Sequence, residues 1–209
     1  MNKRRMLLLA LVGLLLVSSG CGYNKLQSKQ QIVRARWADI EVQLQQRADL
    51  IPNLFEAAKA AGVQEQQVFG DIAKARDGLL NATKAQPQGD NGDKSPEQKQ
   101  AVIDANNSFG GTIGRLLSLT ENYPQLSSSK SFQMFQDSLE GMEHRIATAR
   151  KDYNDAVLDY NSTRGSFPTI ISAKIYGFKE EPLFKADPSA AQAPKINADT
   201  VRKPEATTK

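Results

Sequence analysis

Large apolar side chains recur along this chain at steps of three and four, a spacing that suits helices and disfavours strands over most of its length. The first run is Val33, Trp37, Ile40, Leu44, Ala48, Ile51, Phe55 and Ala58, within residues 25–61. At roughly 1.5 Å per residue this predicts a helix about 55 Å long. Pro52 interrupts it, removing one hydrogen bond and crowding the carbonyl four residues back, so a kink is expected over residues 48–52. Gly62 then closes the segment as a C-terminal cap. A second run, Val68, Ile72, Ala75, Leu79 and Ala82, fades into residues 86–94, which hold no apolar side chain and predict a solvated loop.

The third start is sharply marked. Ser95-Pro96-Glu97-Gln98 combines a capping serine, a proline at the first helical position and a glutamine that closes a capping box. The run Val102, Asn106, Phe109, Ile113, Leu116, Thr120 follows and ends at Asn122-Tyr123-Pro124, since proline forces its predecessor out of helical geometry. Ser127, Ser128, Ser129 and Ser131 make a turn into the most regular run: Phe132, Phe135, Leu139, Met142, Ile146, Ala149, Tyr153, Val157 and Tyr160, stopping near Arg164-Gly165. Four amphipathic segments with short connections predict an all-α fold, an antiparallel up-down-up-down four-helix bundle with long helices. Residues 167–184 keep aromatic and aliphatic side chains among Pro168, Gly177 and Pro182, which predicts an extended strap docked on the bundle. Residues 186–209 carry almost no large apolar side chain and predict a disordered tail.

The N-terminus carries an address. Lys3-Arg4-Arg5 precedes twelve uncharged residues, 6–17, and then Ser18-Ser19-Gly20-Cys21. A membrane-crossing helix takes about 20 apolar residues, so this run is short for a span and suits a secretory signal. It resembles a bacterial lipoprotein signal, with Ser18 standing where leucine is usual. That resemblance implies a signal peptide over residues 1–20, acylation of Cys21, and a domain over residues 21–185 facing away from the cytoplasm. With Gly22 after the cysteine, it implies sorting to the periplasmic side of the outer membrane in a bacterium with two membranes. The alternative is an uncleaved inner-membrane signal anchor. Without the three leading cations, 24 basic residues face 23 acidic ones, so nothing in the charge points to nucleic acid.

Residue counts exclude much chemistry. One cysteine allows no internal disulfide, and one histidine allows no pair of Glu-x-x-His motifs for a di-iron bundle. Glu140, Glu143 and His144 lie close on the last helix, but Met142 and Ile146 hold the apolar face, so His144 points away and no metal is expected. Phe109-Gly110-Gly111-Thr112-Ile113-Gly114 lacks the preceding strand and Gly-Lys ending of a phosphate loop. Gly110 and Gly114 share a helical face, which predicts close helix packing or a shallow groove. No cofactor and no catalytic residue is expected.

The run Tyr23-Asn24-Lys25-Leu26, Val33, Trp37 and Leu44 through Leu54, with Arg47, Asp49 and Pro52, resembles the opening of the LemA family. The likeness continues through Glu65, Arg76, Glu121-Asn122-Tyr123-Pro124, Ala149-Arg150-Lys151-Asp152-Tyr153-Asn154, Tyr160-Asn161, Phe167-Pro168, Gly177-Phe178 and Phe184. Ala60-Ala61-Gly62 and the long loop at residues 86–94 depart from the family pattern. The resemblance implies a membrane-tethered helical bundle and no established activity. Two roles fit its polar residues, Arg47, Asp49, Glu121, Tyr123, Arg150, Tyr153 and Asn154: charge pairs that fix helix register, or a recognition surface of tyrosine and arginine anchors. The functional expectation is a lipid-anchored envelope lipoprotein acting as a non-enzymatic scaffold. Its partners would be the membrane, through Cys21, and another envelope protein. The alternative is a bundle that binds a small molecule or lipid.

Overall fold

The computed structural model describes residues 3–89 and 92–185, with side chains from Gly22 onward except at position 119. All regular secondary structure among the described residues is helical: α1 (Lys3–Asp49), α2 (Ile51–Ala60), α3 (Gln66–Lys84), α4 (Pro96–Ser118), a 3-10 turn (Leu119–Glu121), α5 (Pro124–Ser128), α6 (Lys130–Gly165) and α7 (Thr169–Tyr176). The expected tail, 186–209, lies outside the described residues. Backbone within the expected signal peptide runs as helix from Lys3 directly into α1. No helix among the described residues is long and apolar enough to cross a membrane.

Helices α1 and α6 pack antiparallel. Arg47 pairs with Glu143 at one level, the Trp37 ring meets Tyr153 at the next, and Lys29 pairs with Asp159 further down. Helix α2 continues onto the start of α6, while α3 and α4 pack on each other and α3 also packs on α1. The apolar steps read from the sequence point inward. Leu26, Val33, Ile40 and Leu44 of α1, Ile72 and Leu79 of α3, Val102, Phe109 and Leu116 of α4, and Phe132, Tyr153, Val157 and Tyr160 of α6 are all fully buried.

The capping box forms as expected: Gln98 N–H donates to Ser95 Oγ (3.3 Å) and Ser95 N–H to Gln98 Oε1 (3.0 Å). Ser129 caps α6 by accepting from Phe132 N–H at 3.3 Å. Gly62, at φ +76°, occupies the left-handed conformation that ends the α2 segment.

Three local expectations are corrected. The loop read as solvated is exposed at residues 86–88 and 92, but its last two residues dock on α1: Lys94 is buried, with its ammonium 2.8 Å from Glu41, and Asp93 approaches Arg34 at 3.4 Å. Paired charges rather than apolar side chains bring it in, so a hydrophobicity pattern could not register it. The segment read as an extended strap contains the two-turn helix α7, ended by Gly177 at φ +72°. Only the residues after it lack regular secondary structure. The third helix stops at Ser118 and tightens into a 3-10 turn, where the Thr120 hydroxyl donates to the Leu117 carbonyl (2.7 Å).

The two glycines of α4 separate in role. A Cβ at Gly110 would sit 3.4 Å from the Arg47 guanidinium, so its absence leaves room for that buried cation; a Cβ at Gly114 would meet nothing within 4 Å. A groove of about 650 Å³ does lie between α3 and α4, but Gly78 and Gly111 line it rather than Gly110 and Gly114. Gly114→Ala is expected to raise stability by up to about 1 kcal/mol, because helix propensity improves with no steric opposition. Urea denaturation with an unchanged m-value would show this; a loss of stability would mean that Gly114 is closely packed.

Candidate functional site

Polar side chains that reach the interior gather at two levels, and each level begins from a backbone problem. At the α1–α2 kink, Pro52 has no N–H to offer the carbonyl of Ala48, four residues back. Arg76 of α3 supplies the missing donor: its Nε bonds the Ala48 carbonyl at 2.9 Å while its Nη2 lies 3.9 Å from Asp49. One guanidinium thus repairs the kink and ties α3 to it. Arg76→Leu is expected to cost about 1–3 kcal/mol by leaving that carbonyl unsatisfied. The loss should appear in urea denaturation together with faster amide exchange near residue 50. An unchanged midpoint would show that water serves the carbonyl equally well.

Immediately before Ala48 on α1, Arg47 is buried. Its Nη1 donates to Asn106 Oδ1 (2.9 Å), its Nη2 lies 2.7 Å from Glu143 Oε1, and its guanidinium sits 5.5 Å from the Phe109 ring centroid. Burial pushes the Arg47 guanidinium below its ordinary pKa, and Glu143 partly restores it. Arg150 is lowered in the same way by burial, with Glu143 opposing and Arg47 adding to the shift. The Arg150 guanidinium lies over the Phe184 ring at 4.5 Å.

The second level lies where residues 178–185 run along α6. The Tyr160 hydroxyl donates to the Lys179 carbonyl and the Tyr153 hydroxyl to the Pro182 carbonyl, each at 2.8 Å. Asn161 bonds both backbone groups of Glu181, at 2.9 and 3.1 Å, and Asn154 both of Phe184, at 3.0 and 2.8 Å. Side chains of α6 thereby act as a partner strand for a segment that has none. This places Glu181 beside Lys99, whose side chain is 0% exposed. The Lys99 ammonium lies 2.9 Å from Glu181, 3.1 Å from Asp93 and 5.8 Å from the Trp37 ring centroid.

Burial, with the Glu181 charge, pushes the Tyr160 phenol up to about 12, and burial raises Tyr153 further. An unfolded tyrosine loses its proton near pH 10. From about pH 10 to 12 the unfolded chain therefore binds fewer protons than the folded one, and stability falls as pH rises through that window. Below pH 10 the contribution is fully present. Tyr160→Phe should flatten the alkaline slope of the urea midpoint; an identical slope would show that the Tyr160 proton is not held by the fold.

The seven polar residues singled out in the sequence thus do not converge on one surface. Arg47 and Asp49 sit near the kink, Arg150 lies between the two levels over the Phe184 ring, and Tyr153 and Asn154 hold the C-terminal segment. Glu121 is exposed on the 3-10 turn, and the Tyr123 hydroxyl donates to Glu65 at 3.1 Å, which raises its pKa. The side chain of Cys21 is not among those described. His144 is 81% exposed, with Glu140 4.0 Å away, and no group of three metal-ligating side chains occurs among the described residues. Lys99 escaped notice, although it stands three residues before Val102 on the apolar face of α4, where a charge is out of place. Nothing in the pattern around Glu181 marks it.

Beside the second level, a cleft of about 290 Å³ opens among Tyr23, Gln27, Gln30, Lys94, Tyr176, Phe178 and Lys179. The Tyr23 ring lies 4.8 Å from that of Tyr176 and 5.7 Å from that of Phe178.

The LemA family model matches residues 36–197. Magnetosome proteins MamQ 1 and MamQ 2 of Paramagnetospirillum magneticum are each 29% identical to the chain over 179 residues, covering 80% of it and 66% of their own length. Magnetosome protein MamQ of Magnetospirillum gryphiswaldense is 27% identical over the same shares. The chain therefore spans slightly under two thirds of the length of the curated relatives it matches.

Proposed function

The chain belongs to the LemA family, and from that premise we propose that it is a membrane-anchored, non-enzymatic envelope lipoprotein serving as an interaction scaffold. The observation that carries this reading is what the polar residues at the helix contacts bond to. Arg47, Arg76, Tyr153, Asn154, Tyr160 and Asn161 bond other segments of the same chain and stiffen a rod; they do not line a cleft with free acid, base or nucleophile. The antiparallel α1–α6 pair with α3 and α4 supports an up-down-up-down bundle, and residues 178–185 support a strap closing one end. Acylated Cys21 would hold that end to the membrane, on the periplasmic face of an outer membrane where two membranes exist.

A second reading, a bundle that takes a small molecule or lipid, is favoured by the cleft beside Tyr23 and Phe178, where an aromatic wall meets charges of both signs, Lys179 and Lys94 with Asp93 and Glu181. Crosslinking in intact cells tests the scaffold: a defined envelope protein should be captured beyond the background of an unrelated lipoprotein. A capture set no different from that background, or purified protein carrying a stoichiometric small molecule, would reject it.

A further inference from the structure

Given the anchored reading, on which this rests, we propose that α7 and its flanking residues form a second membrane contact, lying on the lipid surface beside the anchor. Of the nine large apolar side chains left exposed among the described residues, five gather at this end: Tyr23, Phe167, Ile171, Ile175 and Tyr176. Phe167 is 82% exposed and Ile175 66%, values out of keeping with a helix whose other face is packed. Scattered singly they would need no explanation, but three lie on α7 (Ile171, Ile175 and Tyr176), Phe167 just before it and Tyr23 against Tyr176, and together they mark a contact surface. Ile171 and Ile175 are four residues apart and share a face of α7.

Two observations identify the occupant as lipid. The first is height. A Cβ on Gly22 would lie 2.6 Å from Ser172 Oγ, so α7 crosses α1 at the residue after Cys21. One residue is about 1.5 Å of helix, which puts α7 at the level where acyl chains on Cys21 enter the bilayer. The second is composition. Lys25, Lys174 and Lys179 are exposed around the apolar residues; of the acids nearby, Glu180 is paired with Arg164 and Glu181 with Lys99, each at 2.9 Å, and Glu97 faces Lys179. An apolar face with tyrosines at its edge and a basic fringe matches the boundary between acyl chains and anionic headgroups.

The test uses the full-length lipidated chain in vesicles of phosphatidylethanolamine and phosphatidylglycerol, with and without bromine on the acyl chains. Ile175→Trp and Met134→Trp each add one exposed indole to the buried Trp37 background. Met134 stands on α6 about 40 Å of helix away from the α7 end. Brominated lipid should remove most of the added emission of Ile175→Trp and leave that of Met134→Trp intact. A chain that floats with the vesicles but shows equal quenching at both positions overturns the α7 contact and spares the anchored reading. A chain that stays in solution overturns both. Self-crosslinking through α7 without quenching would assign the face to a second copy and reject the lipid contact.

Discussion

Replacing Lys99 with methionine is expected to lower stability by about 3–5 kcal/mol, although methionine is the more apolar side chain. The lysine is fully enclosed, and its ammonium neutralises Glu181 and Asp93, themselves 7% and 15% exposed. Removing the cation leaves Glu181 buried with no opposite charge, and residues 178–185 should come away from α6 to let it reach water. The loss would appear in urea denaturation and as fast amide exchange at Phe184, whose N–H is otherwise held by Asn154. The double substitution Lys99→Met with Glu181→Met should recover much of the loss, because two apolar groups avoid the desolvation that the pair incurs. A single variant within about 1 kcal/mol of the parent would place Lys99 among exposed ion pairs and undo the argument that this charge holds the segment down.

Trp37→Ala should cost about 3–5 kcal/mol as well, by a different route. The indole is 2% exposed, with Tyr153 at 5.2 Å and Phe184 at 6.5 Å between ring centroids and the Lys99 ammonium over its face. Its removal opens a cavity at the point where α1, α4, α6 and the C-terminal segment meet, and helices of this length cannot bend locally to fill it. Because Trp37 touches Lys99, the two losses should not add. A double-mutant cycle is expected to give a coupling of about 0.5–2 kcal/mol for the cation over the ring. Trp37 is the sole tryptophan, so its emission in the Lys99→Met variant reports directly whether the core around it has loosened. Additive losses would mean that the contact between them carries no energy.

Both predictions concern residues whose importance a one-dimensional reading could grasp only in part. Trp37 stood on a run of apolar residues and was legible as core. Lys99 stood on the same kind of run, one step before Val102, but nothing local shows that its charge is buried. The kink at Pro52 was likewise legible, since proline's missing donor acts locally; that Arg76 would supply the replacement was not, because Arg76 lies 28 residues from the Ala48 carbonyl it bonds. Tyr153 and Tyr160 were visible on the apolar run and Asn154 and Asn161 beside it, without any sign that they were spaced to pair with residues 178–185.

Sequence alone therefore determined the four long amphipathic segments, the caps at Ser95 and Gly62, the break at Pro52, the inward faces, and the apolar N-terminal run that precedes Cys21. Each of these is governed by interactions within a few residues, where helical period, capping chemistry and proline sterics leave little choice. Tertiary structure decided which charges are buried, where the 86–94 loop folds, how the C-terminal segment is held, and that α7 lies level with the residue after Cys21. Those outcomes depend on pairs of groups far apart in the chain, whose energies exist only once packing has excluded water from between them.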